Sequence, residues 1–440
     1  MGVDARARPY PRTPDADRPA QQSDDGARST VYVQRFAVEF QYVVHFTRDL
    51  FDPSNPTLVS ALAEREPWRR HRVFAVVEAQ VLAAWPGLVD RIRDYFAAHA
   101  DRITLVAEPV VVQGGEASKN DEGLIADLQR RMHDVGLDRQ SFVLCVGGGA
   151  LQDAVGYAAA TTHRGVRMVR VPTTVLAQND SGVGVKNAIN AFGKKNFLGT
   201  FAPPFAVLND FRFLETLDRR DKVAGMAEAV KVALIRDEAF FDWLVEHRDA
   251  LAACEPAALE VLVRRCAELH MRHIATSGDA FEFGSARPLD FGHWAAHKLE
   301  SLTDYRLRHG EAVAIGIGLD TLYSALAGFM SMNDAEAVLD LIAGLGLPLW
   351  DDALDARGDD DRRLVLAGLD EFREHLGGEL TVTLLRGIGH GFEVNEMDEA
   401  LIEEALARLR EASRRRAAQP DSRPLAARPD EPGRREAIRP

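Results

Sequence analysis

Cysteine is scarce: Cys145, Cys254 and Cys266 are the only thiols in 440 residues. They are too few and too scattered for a disulfide framework or a thiolate zinc site, and read as small buried apolar residues in a reducing compartment. No run of about 18 apolar residues occurs, which argues against a membrane-spanning helix. The first residues lack the apolar core of a secretory signal, so the cytoplasm is the expected location. Positive charge is in deficit, with 53 Lys and Arg against 67 Asp and Glu and a net charge of −14. An extended phosphate backbone is therefore not an expected partner, and neither nucleic acid nor membrane is predicted. Any phosphate must be gripped locally, by a few placed cations and backbone amides. No internal repeat is visible.

What is present is ordinary for a soluble enzyme, with 46% hydrophobic and 27% charged residues. The length exceeds one average domain and predicts two. Residues 1–30, rich in Asp, Arg, Pro, Gln and Ser, have no periodicity and are predicted to be disordered, as is the basic tail 412–440. From 31 to 207, short β-branched runs alternate with helical stretches. VYVQRFAVEFQYVVHF has the alternation of a hairpin, and strands follow in RVFAVVEAQV, ITLVAEPVVVQGG, SFVLCVG and VRMVRVPTT. Strands separated by helices imply a parallel sheet covered on both faces. From 208 to 411 helices dominate, over 221–235, 237–250, 257–275, 288–302, 309–328, 333–344 and 396–411, with GELTVTLLRGIG as a late strand pair. An α/β Rossmann-like nucleotide-binding domain is thus followed by an α-helical metal-binding domain, with the functional cleft between them.

Chemistry-bearing residues concentrate in a few segments. His293 and His297 are one helical turn apart and share a face, and His309 precedes a Gly-Glu pair. Upstream, Glu228 and Lys231 share a helix face in KVAGMAEAVKVAL. One carboxylate and two or three imidazoles from separate helices suit a divalent ion with an open coordination position. A lone histidine is more often a core or surface residue; it is the clustering that favours ligands. Cys145-Val146-Gly147-Gly148-Gly149 ends an apolar strand and opens a helix carrying Asp153, a turn through which a backbone can approach a pyrophosphate. The spacing is not GxGxxG and alone could be a tight turn. Gly114-Gly115-Glu116 with Lys119 is a second such turn, and Glu78 follows a strand where an acid can hold ribose hydroxyls. Together they favour a dinucleotide. The segment from Val171 places Thr173, Thr174, Asp180, Lys186, Asn190, Lys195 and Asn196 in predicted loops, and its cations and amides suit a sugar phosphate.

In order and spacing, VGGGALQDAVGYAAATTHRG, RVPTTVLAQNDSGVGVKNAIN, GKKNFLGTF, AGMAEAVK, LDFGHWAAHKLE and HGEAVAIG resemble the motifs of 3-dehydroquinate synthase and the wider sugar phosphate cyclase superfamily, over roughly 70–390. The resemblance implies a homodimer that uses NAD and a divalent metal, Zn2+ or Co2+, and acts as a carbon–oxygen lyase on a sugar phosphate. It implies that Glu228, His293 and His309 bind the metal. Glu116, Gly148, Gly149, Asp153, Thr173 and Thr174 fall in segments that hold NAD. Asp180, Lys186, Lys195 and Lys231 match polar residues around substrate and cofactor. Arg164, Asn196 and His297 match phosphate-contacting positions, with Arg164 expected to reach across the dimer. The departures point away from dehydroquinate formation. ARPLDFGH puts Asp290 where the family has an asparagine; Ala286 takes the place of an arginine, with Arg287 out of register; Arg272 stands in for an upstream lysine and Arg373 for a later one. An acid at position 290 repels a substrate carboxylate and suits a hydroxyl donor. That pattern is similar to cyclases of the valiolone type and to the dehydroquinate-synthase-like proteins of the Ebo cluster. The alternatives are a true 3-dehydroquinate synthase, an NAD- and metal-dependent polyol or glycerol dehydrogenase, and a non-catalytic family member.

Overall fold

The computed structural model describes residues 32–192, 194–277, 279–281, 288–375 and 378–418. The expected disordered tail 1–30, Ala286 and Arg287, and the tail beyond 418 lie outside the described residues. The chain divides into Met1–Gln41 and Tyr42–Pro440. In the first unit, residues 32–41 form neither helix nor strand. The hairpin expected over 31–46 is therefore not formed. The stretch alternates but contains no Gly, Pro, Asn or Asp to make a tight turn.

The second unit opens with a seven-stranded sheet. Its strands are β1 (Val43–Thr47), β2 (His71–Glu78), β3 (Ile103–Leu105), β4 (Val110–Val112), β5 (Phe142–Gly147) and β6 (Arg167–Pro172), closed by a later strand, Ala206–Asp210. Before that last strand, β7 (Lys186–Ala191) and β8 (Lys194–Phe201) pair as an antiparallel hairpin of their own, so Ala206–Asp210 is β9. The order is β1-β9-β6-β5-β2-β3, with β4 also beside β2, and every pairing in this sheet is parallel. Period-two alternation splits each central strand between two cores. Val73, Ala75, Val77, Phe142, Leu144 and Val146 pack with the helices Thr57–Ala63 and Leu88–Ala98. Phe74, Val76, Val143 and Cys145 pack with Glu122–Asp134 and Gly149–Thr161 on the other face. The β7–β8 hairpin corrects the expectation of loops there. Ile189 faces the second core, while β8 exposes most of its residues.

Beyond β9 the chain is helical, around a third and largest core. The expected 221–235 helix is two, Arg219–Ala224 and Met226–Arg236, divided at Gly225. Two more helices, Glu238–Glu246 and Arg248–Ala252, replace the expected 237–250; Pro256–Thr276 follows. The segment expected as one helix over 288–302 is a 3-10 turn, Pro288–Asp290, and then a helix His293–Leu302. His309–Leu326 and Met332–Gly344 come next, and an unanticipated helix Ala367–His375. The late strands β10 (Val382–Leu385) and β11 (Gly391–Val394) form a hairpin. The last helix, Glu399–Ala417, outruns its expected end at 411 because Arg415 and Arg416 pair with Glu336. All three thiols are free; Cys254, unlike the other two, is only half-buried.

Candidate active site

Two close backbone approaches set the donors in place. Gly292 has φ +79, and a Cβ on Gly316 would collide with the Gly292 carbonyl oxygen, so the helices starting at His293 and His309 meet with no side chain between them. Gly225 plays the same part for the helix carrying Glu228: a Cβ there would press on Val175 and Leu176. Asn179 Nδ2 donates to the Gly225 carbonyl at 2.9 Å, tying the Thr173–Thr174 segment to that helix.

Among the described residues, Glu228, His293 and His309 bring their ligand atoms within 4.8 Å of one another, as expected of the metal set. Glu228 is fully buried. His293 Nε2 lies 3.8 Å and His309 Nε2 3.6 Å from Glu228 Oε1. The opposite ring nitrogens are engaged: His293 Nδ1 lies 3.1 Å from the Phe291 carbonyl and His309 Nδ1 3.2 Å from Glu300 Oε2. Such outer partners fix the tautomer and leave Nε2 as a lone-pair donor. Apart from its ion pair with Lys231, neither Glu228 oxygen receives a hydrogen bond. Burial pushes the Glu228 carboxyl up, against the pull of Lys231. Burial also holds His293 and His297 neutral, with Lys231 and His293 respectively adding to the effect. A buried carboxylate short of donors, faced by two imidazole nitrogens, fits a divalent cation. His297, Glu300 and His309 also converge, but there Glu300 already accepts from Lys195 Nζ at 2.7 Å and pairs with His309.

Around this set stand the fixed charges. Burial would strip the proton from Lys231; Glu228 and Asp180 outweigh it and keep the ammonium, and Asp290 adds to their pull. Asp290 is half-buried in the 3-10 turn before the metal helix. Despite its burial, Asp180 is held well below the usual carboxylate range by Lys231 and His270. Lys195 and Glu300 hold one another charged against the burial of both, with His309 also acting on Glu300.

The glycine turn faces the same region. Glu78, at the end of β2, accepts from the Gly148 amide at 2.6 Å, and burial raises its carboxyl. A Cβ on Gly149 would collide with the Ser181 hydroxyl. Thr173 donates its amide to the Gly147 carbonyl at 3.2 Å, and Thr174 Oγ1 accepts from Ala177 at 3.1 Å. Lys119 Nζ lies 2.8 Å from Asp153 Oδ2 and also donates to Asn196. Asn190 Nδ2 donates to Glu116 at 3.0 Å, and Asn196, with φ 54, donates its amide to Asn190. Glu116, Lys119 and Asp153 and the hairpin residues Asn190 and Asn196 therefore form one network. Lys186 opens β7 and is exposed.

Two expected residues, Arg373 and Arg272, are not brought in, and Arg164, expected to reach across a dimer, lies away from this chain's own site. Arg164 is exposed at the far end of the Gly149–Thr161 helix, about 20 Å from Gly149 by helix rise. Arg373 is exposed beside Asp370 of its own helix. Arg272 is exposed as well; the inward residue of that helix is His270, whose Nδ1 lies 2.9 Å from Asp180 Oδ1. Helical spacing turns position 272 away when 266 and 270 face in.

Four residues escaped the sequence reading. Glu300 lies seven after His293 on the same face, a spacing that could have exposed it. His270 follows buried Cys266 by one turn. Asp320 is a lone charge in the apolar run IGIGLDTLYSAL; its oxygens accept from Trp294 Nε1 at 2.9 Å and the Gly292 amide at 3.1 Å. Arg170, fully buried in β6, donates to the carbonyls of Ser181, Gly182, Gly184 and Lys186 and to Asn187 Oδ1.

A parallel α/β sheet leading into a helical half with a buried Glu–His–His donor set defines a metal-site architecture, and comparison gives it a family. Residues 109–224 match the family model described as 3-dehydroquinate synthase N-terminal, and residues 225–360 the C-terminal one. The 2-epi-5-epi-valiolone synthase of Streptomyces glaucescens is 34% identical over 373 residues, spanning 84% of this chain and 90% of that protein. The 3-dehydroquinate synthase of Jannaschia sp. (strain CCS1) is 37% identical over 351 residues, 77% of this chain and 90% of its own. The structure of the 2-epi-5-epi-valiolone synthase from Streptomyces hygroscopicus subsp. jinggangensis 5008, with NAD+ and Zn2+ bound, matches with a TM-score of 0.76 at 30% identity, covering 86% of this chain and 99% of that one. The chain belongs to the 3-dehydroquinate synthase family, within the sugar phosphate cyclases. No helix among the described residues is long and apolar enough to cross a membrane.

Proposed function

We propose that this protein converts a ketose or heptulose phosphate lacking a carboxylate into a carbocycle with loss of inorganic phosphate, as an NAD- and metal-dependent cyclase. The observation that carries the reading is the Glu228 carboxylate, buried with no partner but the Lys231 ammonium and faced by Nε2 of His293 and His309. Glu228, His293 and His309 hold the Zn2+ or Co2+ ion. Residues 31–207, through Glu78, Glu116, Lys119, Gly148, Gly149, Asp153, Thr173 and Thr174, hold NAD, and 208–411 hold the ion. When bound, NAD supplies a transient oxidation of one ring hydroxyl, which acidifies the neighbouring C–H, and the ion polarises oxygen at that carbon.

The chain's own residues do the rest. Lys231 and Lys195, both held as cations, stabilise negative charge developing on sugar oxygens. Lys186, Asn196 and neutral His297 orient the phosphate as it leaves by β-elimination. The protein acts as a cytoplasmic homodimer in which exposed Arg164 serves the partner's phosphate. Asp290 selects the substrate: its carboxylate pulls on Lys231, and a sugar carboxylate placed there would meet like charge, whereas a hydroxyl could donate to it.

The test is phosphate release by metal-loaded protein with NAD and 3-deoxy-arabino-heptulosonate 7-phosphate, sedoheptulose 7-phosphate or glucose 6-phosphate. Release from sedoheptulose 7-phosphate alone is expected. Preference for the carboxylated sugar would make the protein a 3-dehydroquinate synthase and overturn the part assigned to Asp290. Net NADH formation from a simple alcohol would replace the cyclase reading by a dehydrogenase one.

A further inference from the structure

His270 is a histidine of this region whose surroundings suit movement of a proton. It lies on the inward face of the Pro256–Thr276 helix and is 9% exposed. Its Nδ1 is 2.9 Å from Asp180 Oδ1, an ion-pair contact that lies off the line of a hydrogen bond, so that a small ring rotation would complete it. Asp180 sits on the Ala177–Ser181 turn, within the field of Lys231 and His293. Four other basic groups nearby are committed. Lys231 is paired with Glu228, Lys195 with Glu300, His293 with the Phe291 carbonyl and His309 with Glu300. His273, three residues further along the helix, meets the Arg236 guanidinium instead, at 3.3 Å. A histidine with a purely structural part tends to engage both ring nitrogens in the fold. Here Nε2 meets no hydrogen-bond partner among the described residues, and the ring edge beside it borders Gly184, where a Cβ would lie in ordinary contact, 3.8 Å from His270 Cε1.

We infer that His270, oriented by Asp180, is a catalytic residue that carries a proton to and from a hydroxyl of the bound sugar. The inference rests on the cyclase reading above. In the forward sense an O–H bond of the sugar breaks while an N–H bond forms at Nε2, and the electron pair stays on the sugar oxygen. Asp180 remains a carboxylate throughout and offsets the charge of the imidazolium. The reverse transfer returns the proton, so none is consumed and no further reactant is needed. An acid–base pair of this form, a buried carboxylate behind Nδ1 and an open Nε2, is the arrangement that proton-transfer catalysis requires.

Two measurements test it. In the first, His270→Gln and His270→Lys are compared with the unaltered protein on a sugar phosphate that it turns over. Both substitutions are expected to lower kcat about 100-fold or more while KM moves by less than about threefold, the range typical of a lost general acid or base. A kcat retained within threefold, or a loss confined to KM, would overturn the inference, the latter by making His270 a binding contact. In the second, nitrogen NMR of the 15N-histidine-labelled protein reads the ring tautomer directly. The Nδ1–H form is expected for His270, lost on Asp180→Asn; an Nε2–H form, or no change on Asp180→Asn, would overturn it. The two readings fail separately. If no sugar in the panel is turned over, the cyclase reading falls and the tautomer still decides the geometry assigned to His270. If sugars are turned over and His270→Gln is silent, only the proton carrier falls.

Discussion

Two carboxylates lie fully buried in the helical half, Glu228 and Asp320, and burial pushes both upward. Their surroundings differ in kind. Asp320 has a neutral N–H donor on each oxygen, from Trp294 and Gly292, and no cation. Glu228 has a cation, Lys231, on one oxygen and two imidazole nitrogens beside the other, with no neutral N–H donor on either. The first arrangement is complete as it stands and fastens the start of the His293 helix. The second is complete only with a positive ion between the three ligands. Burial by itself does not distinguish a structural acid from a ligand; the hydrogen-bond inventory does.

The sharpest break in this contrast is removal of a ligand. Glu228→Ala or His309→Ala is expected to reduce bound metal from one ion per chain to essentially none, with loss of phosphate release, measured by elemental analysis alongside turnover. Asp320→Ala should do the reverse: metal stoichiometry is kept at saturating Zn2+, while stability falls by about 2–4 kcal/mol in denaturant titrations, because two buried donors are orphaned. Glu300→Gln sits between them. It leaves the ligands in place but weakens the carboxylate behind His309, and is expected to cost about 10–100-fold in metal affinity, read by competition with a chromophoric chelator.

The smallest effect is one of pH. Burial raises Asp320 to about 7, against the donors Trp294 and Gly292, from about 3.9 in an unfolded chain. The fold thus favours the protonated acid. Its stabilisation is complete below the unfolded value and is lost as pH rises through 7, by about 1 kcal/mol between pH 6 and 7. Denaturant midpoints at those two pH values should differ less in Asp320→Asn than in the unaltered protein. An equal slope in both would move Asp320 out of the structural class.

The legible part of the molecule is the part written as pattern. Alternating runs between helical stretches identify the parallel sheet, and HWAAHKLE followed by HGEAVAIG marks the metal set, because periodicity places side chains on faces. The less legible part depends on what a residue meets across the fold. Asp320, Arg170 and His270 are single polar residues in apolar elements, and only the donors or carbonyls opposite give them a part. Arg272 shows the reverse error: a cation at a plausible distance along the chain, turned outward by two residues of helix. The absent hairpin over 31–46 shows that alternation without turn residues does not fold back on itself. Gly225, which divides an expected helix, is set by the close approach of Val175, a contact some fifty residues distant in sequence.

Arg170 has a kinetic corollary. One guanidinium, locked inside the sheet, gathers the carbonyls of residues 181, 182, 184 and 186, and so fastens the strip between Asp180 and Lys186 to a strand in the middle of the sheet. The strip cannot loosen without dislodging β6. Its amide hydrogens should therefore exchange with solvent in step with whole-domain opening, although chain segments this rich in glycine usually exchange fast. Ligand arrival then leaves the strip's shape unchanged, and recognition by Asp180 and Lys186 proceeds against a template already formed before any sugar is met.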